Sequence, residues 1–266
     1  MNPFKTHGAF SWAELQTSDP AAATKFYNAI FGWTTRTMDM PTGEYTIVSA
    51  GETPVGGIMK LQAEEIPTHW AFYVTVDDID AIVASAESLG GSIVMPVLDV
   101  ETVGKLCAIK DRQGAVIMVI QYAPPSADKP SGEVDVKDSY KTHGAMSWVE
   151  LRTSDMDGAI SFYSGLFGWT VKVDDMEFGQ YGTIGLGDTG IGGMCGLMDP
   201  NMPPHWGGYI TVDDADAAFS AATEAGGTVI MPPTDIPNVG RFTIFLDPQG
   251  GALAAIKYVE MLTSVE

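Results

Sequence analysis

Every histidine and every tryptophan in this chain is half of a pair. His7, Trp12, Trp33, His69 and Trp70 return as His143, Trp148, Trp169, His205 and Trp206, each 136 positions later. Sliding the chain on itself by that offset aligns residues 7–122 with 143–258 without a gap, with about 49 identities over roughly 116 positions. A repeat of that length is domain-sized and too long for a solenoid unit. Residues 1–124 are therefore expected to form one domain and 142–262 a second. The stretch between them, 125–141, opens on Pro125-Ser126-Ala127-Asp128-Lys129-Pro130 and reads as a solvated linker.

Composition narrows the partners. The 34 acidic residues against 14 basic ones leave a net charge of −20. Nucleic acid is excluded as a partner, because phosphate binding needs clustered Lys and Arg. An anionic membrane surface is disfavoured for the same reason. At the repeat offset Cys107 falls opposite Thr243 and Cys195 opposite Met59. The two cysteines thus belong to no shared disulfide or thiolate site, and a reducing compartment is expected. The first residues show no apolar h-region, and no apolar run nears the roughly 18 residues of a membrane span. A cytoplasmic protein is expected.

Each copy reads as an alternation of strand and helix signals. Residues 8–17 alternate, with Phe10, Trp12 and Glu14 on one face and Ser11, Ala13 and Leu15 on the other. Asp19-Pro20 caps and opens a helix that carries Phe26, Tyr27, Ile30 and Phe31 at helical spacing and stops at Gly32. Strands are expected near 33–38, 43–50 and 54–61. The order then restarts: a strand at 69–76, a helix at 78–89, and strands at 91–95, 104–110 and 114–121. A tight Asp111-Arg112-Gln113-Gly114 turn joins the last two. Each copy is a pair of βαβββ units, so the chain holds four and its class is α+β.

Phe26-Tyr27 followed by Phe31-Gly32-Trp33, then Val76-Asp77-Asp78 and the Asp247-Pro248-Gln249-Gly250 turn, resembles the glyoxalase/bleomycin-resistance/dioxygenase (vicinal oxygen chelate) superfamily. The second copy repeats the pattern as Phe162-Tyr163, Phe167-Gly168-Trp169 and Val212-Asp213-Asp214. The resemblance implies that each pair of units curls into an open eight-stranded cup holding a divalent metal or a small ligand. In that family the metal ligands, usually His, Gln or Glu, stand on the first and last strands of each unit. Carried onto this chain, those positions are Trp12, Ala71, Met118 and the region Gly57–Met59. In the second copy they are Trp148, Gly207, Ala254 and the region Gly193–Cys195. None of the six named single positions offers a hard oxygen or an imidazole. The cofactor expectation is therefore none, with no divalent metal, and these six residues are expected to line a ligand pocket instead. Because Ala254 is smaller than Met118, the two cups should differ in volume.

Polar residues flank the same positions. Glu14 lies two past Trp12 and His69 two before Ala71, with Glu150 and His205 their equivalents. One expectation is a Glu–His pair on each cup floor, either contacting ligand or acting catalytically. The alternatives are strand-end residues hydrogen-bonded to backbone, or a relocated metal site with one carboxylate and one imidazole per cup. His7 and His143, at the strand's start, are expected to fix the incoming chain by a hydrogen bond. Trp33 and Trp169 are expected to pack in the core, and Trp70 and Trp206 against the helices. No Gly-x-Ser-x-Gly elbow, phosphate loop or dinucleotide glycine signature occurs in the right context.

Three functions follow from the resemblance and these residues. The chain binds a small hydrophobic or aromatic molecule without metal. Alternatively it is a metal-independent lyase, isomerase or hydroxylase-type enzyme using Glu14 or Glu150 with His69 or His205. The third is a glyoxalase- or dioxygenase-like enzyme with displaced metal ligands. A monomer built as a pseudo-dimer, or a homodimer, suits any of them.

Overall fold

The computed structural model describes residues 1–40, 43–63, 65–101, 103–124, 139–176 and 179–260. The linker expected at 125–141 lies outside the described residues up to 138, as do 261 and 262 at the end of the second domain.

The first copy holds β1 (Phe10–Thr17), α1 (Pro20–Phe31), β2 (Thr34–Met40), β3 (Gly43–Ala50) and β4 (Thr53–Lys60). It continues with β5 (His69–Thr75), α2 (Ile79–Ser88), β6 (Ser92–Val100), β7 (Gly104–Lys110) and β8 (Val116–Tyr122). The second copy repeats the series as β9 (Met146–Thr153), α3 (Met156–Phe167), β10 (Thr170–Met176), β11 (Gly179–Leu186) and β12 (Thr189–Gly196). It ends with β13 (His205–Thr211), α4 (Ala215–Glu224), β14 (Thr228–Ile236), β15 (Gly240–Leu246) and β16 (Ala252–Tyr258). The strands form two eight-stranded sheets, ordered β2-β3-β4-β1-β5-β8-β7-β6 and β10-β11-β12-β9-β13-β16-β15-β14. This is the expected α+β class, two tandem copies of paired βαβββ units.

Local chemistry sets the element ends. The Asp19 carboxylate accepts the Ala22 N–H at 3.0 Å and caps α1, with Pro20 in the tolerated first turn. Gly32, left-handed at φ 63°, ends that helix and donates its N–H to the Asn28 carbonyl. One expectation needs correction. β6 does not stop before Pro96 but runs to Val100, because it is the sheet's edge strand and its ladder with β7 shifts register between Ile93 and Met95 and again between Met95 and Leu98. Proline lacks a ladder N–H and is tolerated at edges and bulges.

By contact density the chain divides into two compact units, each drawn from both copies. One comprises the described parts of Met1–Trp12, Phe72–Val134 and Trp148–Trp206. In it α2 packs on α3. The other comprises the described parts of Ala13–Ala71, Asp135–Ser147 and Gly207–Glu266, and in it α1 packs on α4.

Within this second unit the core is aromatic. Tyr27 donates its hydroxyl to Asp247 Oδ2 at 2.9 Å and accepts the Trp70 indole N–H at 3.0 Å. Asp247 Oδ1 meanwhile accepts the backbone N–H groups of Gln249 and Gly251, each at 2.8 Å. Trp33, buried beside Tyr27, donates to the Gly144 carbonyl at 2.7 Å. The first unit repeats the arrangement. Trp206 donates to Tyr163 at 3.1 Å, Tyr163 to Asp111 Oδ2 at 2.9 Å, and Trp169 to the Gly8 carbonyl at 2.7 Å. Trp33 and Trp169 thus sit in the core, and Trp70 and Trp206 join tyrosines of α1 and α3. No described helix is long and apolar enough to cross a membrane.

Candidate ligand-binding site

Strand alternation separates two faces. Leu15 of β1, Val48 of β3 and Ile58 of β4 are fully buried, and α1 packs against β4. Residues of the other parity lie on the face turned away from the helix. In the second unit these are Glu14 and Gln16 of β1, Tyr45 and Ile47 of β3, and Gly57 and Met59 of β4. The register sets them in two cross-strand rows, Tyr45–Met59–Gln16 and Ile47–Gly57–Glu14. In the first unit the equivalent rows are Tyr181–Cys195–Arg152 and Thr183–Gly193–Glu150, on β11, β12 and β9.

A glycine in each patch makes room for a tyrosine. A Cβ on Gly193 would stand 2.0 Å from the Tyr181 hydroxyl and 3.0 Å from Trp148 Nε1. A Cβ on Gly57 would stand 2.0 Å from the Tyr45 hydroxyl. Only glycine lets the phenol lie across the strand in this way. Above Gly193 the Trp148 indole N–H donates to the Tyr181 oxygen at 2.8 Å. Trp148 and Tyr181 are both half-buried.

The two carboxylates are buried, Glu14 at 7% exposure and Glu150 at 5%. Burial of a charge requires compensation. Glu14 Oε1 accepts from Gln16 Nε2 at 3.1 Å, whereas Glu150 Oε1 forms an ion pair with an Arg152 terminal nitrogen at 2.7 Å. Cys195, in the same row as Arg152, has its thiol pushed up to about 12 by burial first and the Glu150 charge second, with Arg152 pulling the other way. The other thiol, Cys107, is pushed up to about 11 by burial alone. Both are free and buried, and both are poor nucleophiles in that state.

The expected Glu–His pairing on the strand floor is not the contact the histidines make. His69 Nδ1 hydrogen-bonds the Pro67 carbonyl at 2.8 Å, and His205 Nδ1 the Pro203 carbonyl at 2.9 Å. Each ring bonds the carbonyl two residues ahead of it, which is the strand-end hydrogen bond to backbone named above as an alternative. His7 and His143 fix backbone instead of substrate: each accepts a backbone N–H, from Asp77 and Asp213 respectively, at 3.2 Å.

The remaining positions expected to line the pocket are apolar. Met118 lies opposite Tyr73 in the β5–β8 register, and Ala254 opposite Tyr209 in β13–β16, so the same partner meets a long side chain in one copy and a methyl in the other. Met118, Ala254 and Ala71 are buried, and Trp12 and Gly207 half-buried. Indole, thioether, methyl and bare backbone do not fit a divalent metal. Among the described residues no three His, Cys, Asp or Glu side chains converge as a ligand set.

Several residues of the patch had no place in the sequence reading. Tyr45 and Tyr181 repeat at the same 136-residue offset as the tryptophans and carried the same signal. The Gln16/Arg152 difference was visible too, but only the register ties it to the glutamates.

The family model of the Glyoxalase/Bleomycin resistance protein/Dioxygenase superfamily matches residues 9–119 and 145–254. The chain is 36% identical over 256 residues to the putative glyoxylase CFP32 of Mycobacterium tuberculosis, covering 94% of this chain and 95% of that one. It is 28% identical to the anthracycline biosynthesis protein DnrV of Streptomyces peucetius, covering 95% and 94%. Among solved structures, 2,2',3-trihydroxybiphenyl 1,2-dioxygenase of Sphingomonas wittichii superposes with a TM-score of 0.63 at 14% identity, covering 94% of this chain and 90% of that one. The Mn(II)-bound glyoxalase of Novosphingobium aromaticivorans gives 0.62 at 14% identity, covering 95% and 83%. At that identity the likeness is one of fold.

Proposed function

The chain belongs to the glyoxalase/bleomycin resistance protein/dioxygenase superfamily, and from that premise we propose that it binds a small aromatic molecule on its helix-free strand faces without a ligated metal. The observation that carries this reading is the Trp148–Tyr181 hydrogen bond laid over Gly193, beside the buried Glu150. An aromatic wall with a few fixed polar groups is the usual make-up of a small-molecule site. The residues at the family's ligand positions, Trp12, Ala71, Met118, Trp148, Gly207 and Ala254, add apolar surface and no donor for a metal. A relative named for anthracycline biosynthesis supports an aromatic ligand.

Titration with 1-naphthalenemethanol, followed by tryptophan fluorescence, tests the reading. The native chain is expected to bind it, and Trp148→Ala to weaken binding roughly tenfold or more, the loss of one aromatic contact surface. Unchanged binding in that variant overturns the site. Stoichiometric iron, nickel, manganese or zinc that survives dialysis against chelator overturns the metal-free part.

A second reading is favoured by the burial of both glutamates on the ligand face. Glu14 or Glu150 then serves as general base, with His69 or His205 as a more distant polar partner. Conversion of substrate that is lost in Glu14→Gln or Glu150→Gln, with stability retained, supports it.

A further inference from the structure

The two copies keep three of the six positions in the cross-strand rows and change the other three. Tyr45, Gly57 and Glu14 recur as Tyr181, Gly193 and Glu150. Ile47, Met59 and Gln16 are replaced by Thr183, Cys195 and Arg152. Ile47 to Thr183 and Met59 to Cys195 shorten the side chain, the first adding a hydroxyl, and Gln16 to Arg152 adds a positive charge. Arg152 is mostly covered, with 18% of its side chain exposed, and sits 2.7 Å from Glu150.

A neutral residue can hold a glutamate at this position. Covering a guanidinium costs desolvation and side-chain entropy, and a buried ion pair often contributes no more than a neutral replacement. The first copy demonstrates the neutral replacement, since the Gln16 amide satisfies Glu14 in the same strand at the same spacing. An arginine held on a ligand face in a chain of net charge −20, with only 14 basic residues, is better explained by what it meets there.

We infer that the second copy's patch recognises an aromatic carboxylate, with Arg152 taking the carboxylate and Trp148 and Tyr181 the ring, while the first copy's patch takes a neutral ligand. This rests on the aromatic-binding reading above. The guanidinium fork matches the two oxygens of a planar carboxylate, and the rings beside it match an aromatic body. Glu150, paired with the guanidinium at 2.7 Å, competes with the ligand for it.

The test compares 1-naphthoate with the neutral 1-naphthalenemethanol on the full chain. Arg152→Gln copies the first copy's Glu–Gln pair and is expected to weaken naphthoate roughly 10- to 100-fold, the loss of hydrogen bonding to a charged group, while changing the neutral probe by less than about threefold. Glu150→Gln removes the competitor and is expected to tighten naphthoate binding, an effect that a purely structural arginine would not produce. If Arg152→Gln fails to fold, Glu150→Gln decides alone. Neutral-probe binding with naphthoate indifferent to Arg152→Gln, or weakened by Glu150→Gln, overturns this inference and leaves the binding reading intact. Binding of neither probe by the native chain overturns both.

Discussion

Removing one oxygen atom tests the core network most sharply. Tyr27→Phe keeps the ring that packs on Phe31, Trp33 and Trp70 but deletes the hydroxyl. That hydroxyl donates to Asp247 Oδ2 at 2.9 Å and accepts from Trp70 at 3.0 Å. Asp247 is 3% exposed and its other oxygen is fully engaged by backbone N–H groups, so the abandoned oxygen has no route to water. Leaving a buried group unsatisfied costs about 1–3 kcal/mol, and more when it is charged. One charged acceptor and one indole N–H are orphaned, so the expected loss is about 3 kcal/mol. Tyr163→Phe orphans Asp111 Oδ2 and Trp206 in the same way and should cost the same within about 1 kcal/mol. The phenol also sets a pH limit. Burial first, then the Asp247 charge, raises the Tyr27 pKa well above 10.0, so its contribution is intact below the unfolded value and declines as pH rises beyond it. Urea unfolding of the single variants at neutral pH provides the measurement. A loss below about 0.5 kcal/mol in both would mean that water or a shifted Asp247 replaces the hydroxyl, and the reasoning from burial would fail.

The raised thiols make a related prediction. Both cysteines are protonated in the fold at pH values where unfolded thiols ionise. Stability should therefore fall as pH climbs above about 9, and Cys107→Val should flatten the thermal midpoint between pH 9 and 10. Ellman's reagent should find both thiols only after denaturation. Gly193→Ala should displace the Tyr181 ring end and break its bond to Trp148, weakening aromatic binding at a cost of about 1–2 kcal/mol in stability. Gly240→Ala should cost more, because its Cβ would stand 2.2 Å from the Lys257 carbonyl, and backbone in a paired strand cannot swing aside. Equal unfolding midpoints for the two glycine variants would refute that distinction.

The elements were legible because they carry local signals. Asp19-Pro20, Gly32 and the strand alternation place β1 and α1 within two residues of where they occur. β6 runs through Pro96 to Val100, past its expected end at 95, because a sequence does not show that a strand lies at an edge. The face turned away from the helix was legible by parity for Trp12 and Glu14. It was not legible for Tyr45, whose position over Gly57 depends on antiparallel register between β3 and β4. A shared face did not choose between the alternatives for His69, which makes the strand-end bond to the Pro67 carbonyl.

The pairing of Tyr27 with Asp247 was beyond the sequence for a deeper reason. Duplication makes the partners degenerate. Tyr27 and Tyr163 are the same residue, as are Asp111 and Asp247, so each tyrosine has two chemically identical candidates, one in each copy. The structure takes separations of 220 and 52 residues, pairing each tyrosine with the turn of the opposite copy. No preference of residue type can choose between them, because the hydrogen bonds would be the same. Differences between the copies lie elsewhere, Gln16 against Arg152 and Met59 against Cys195 among them. The repeat thus keeps the tyrosine, tryptophan and aspartate of the core network in both copies, while the buried positions around them vary, as Ile79 against Ala215 does.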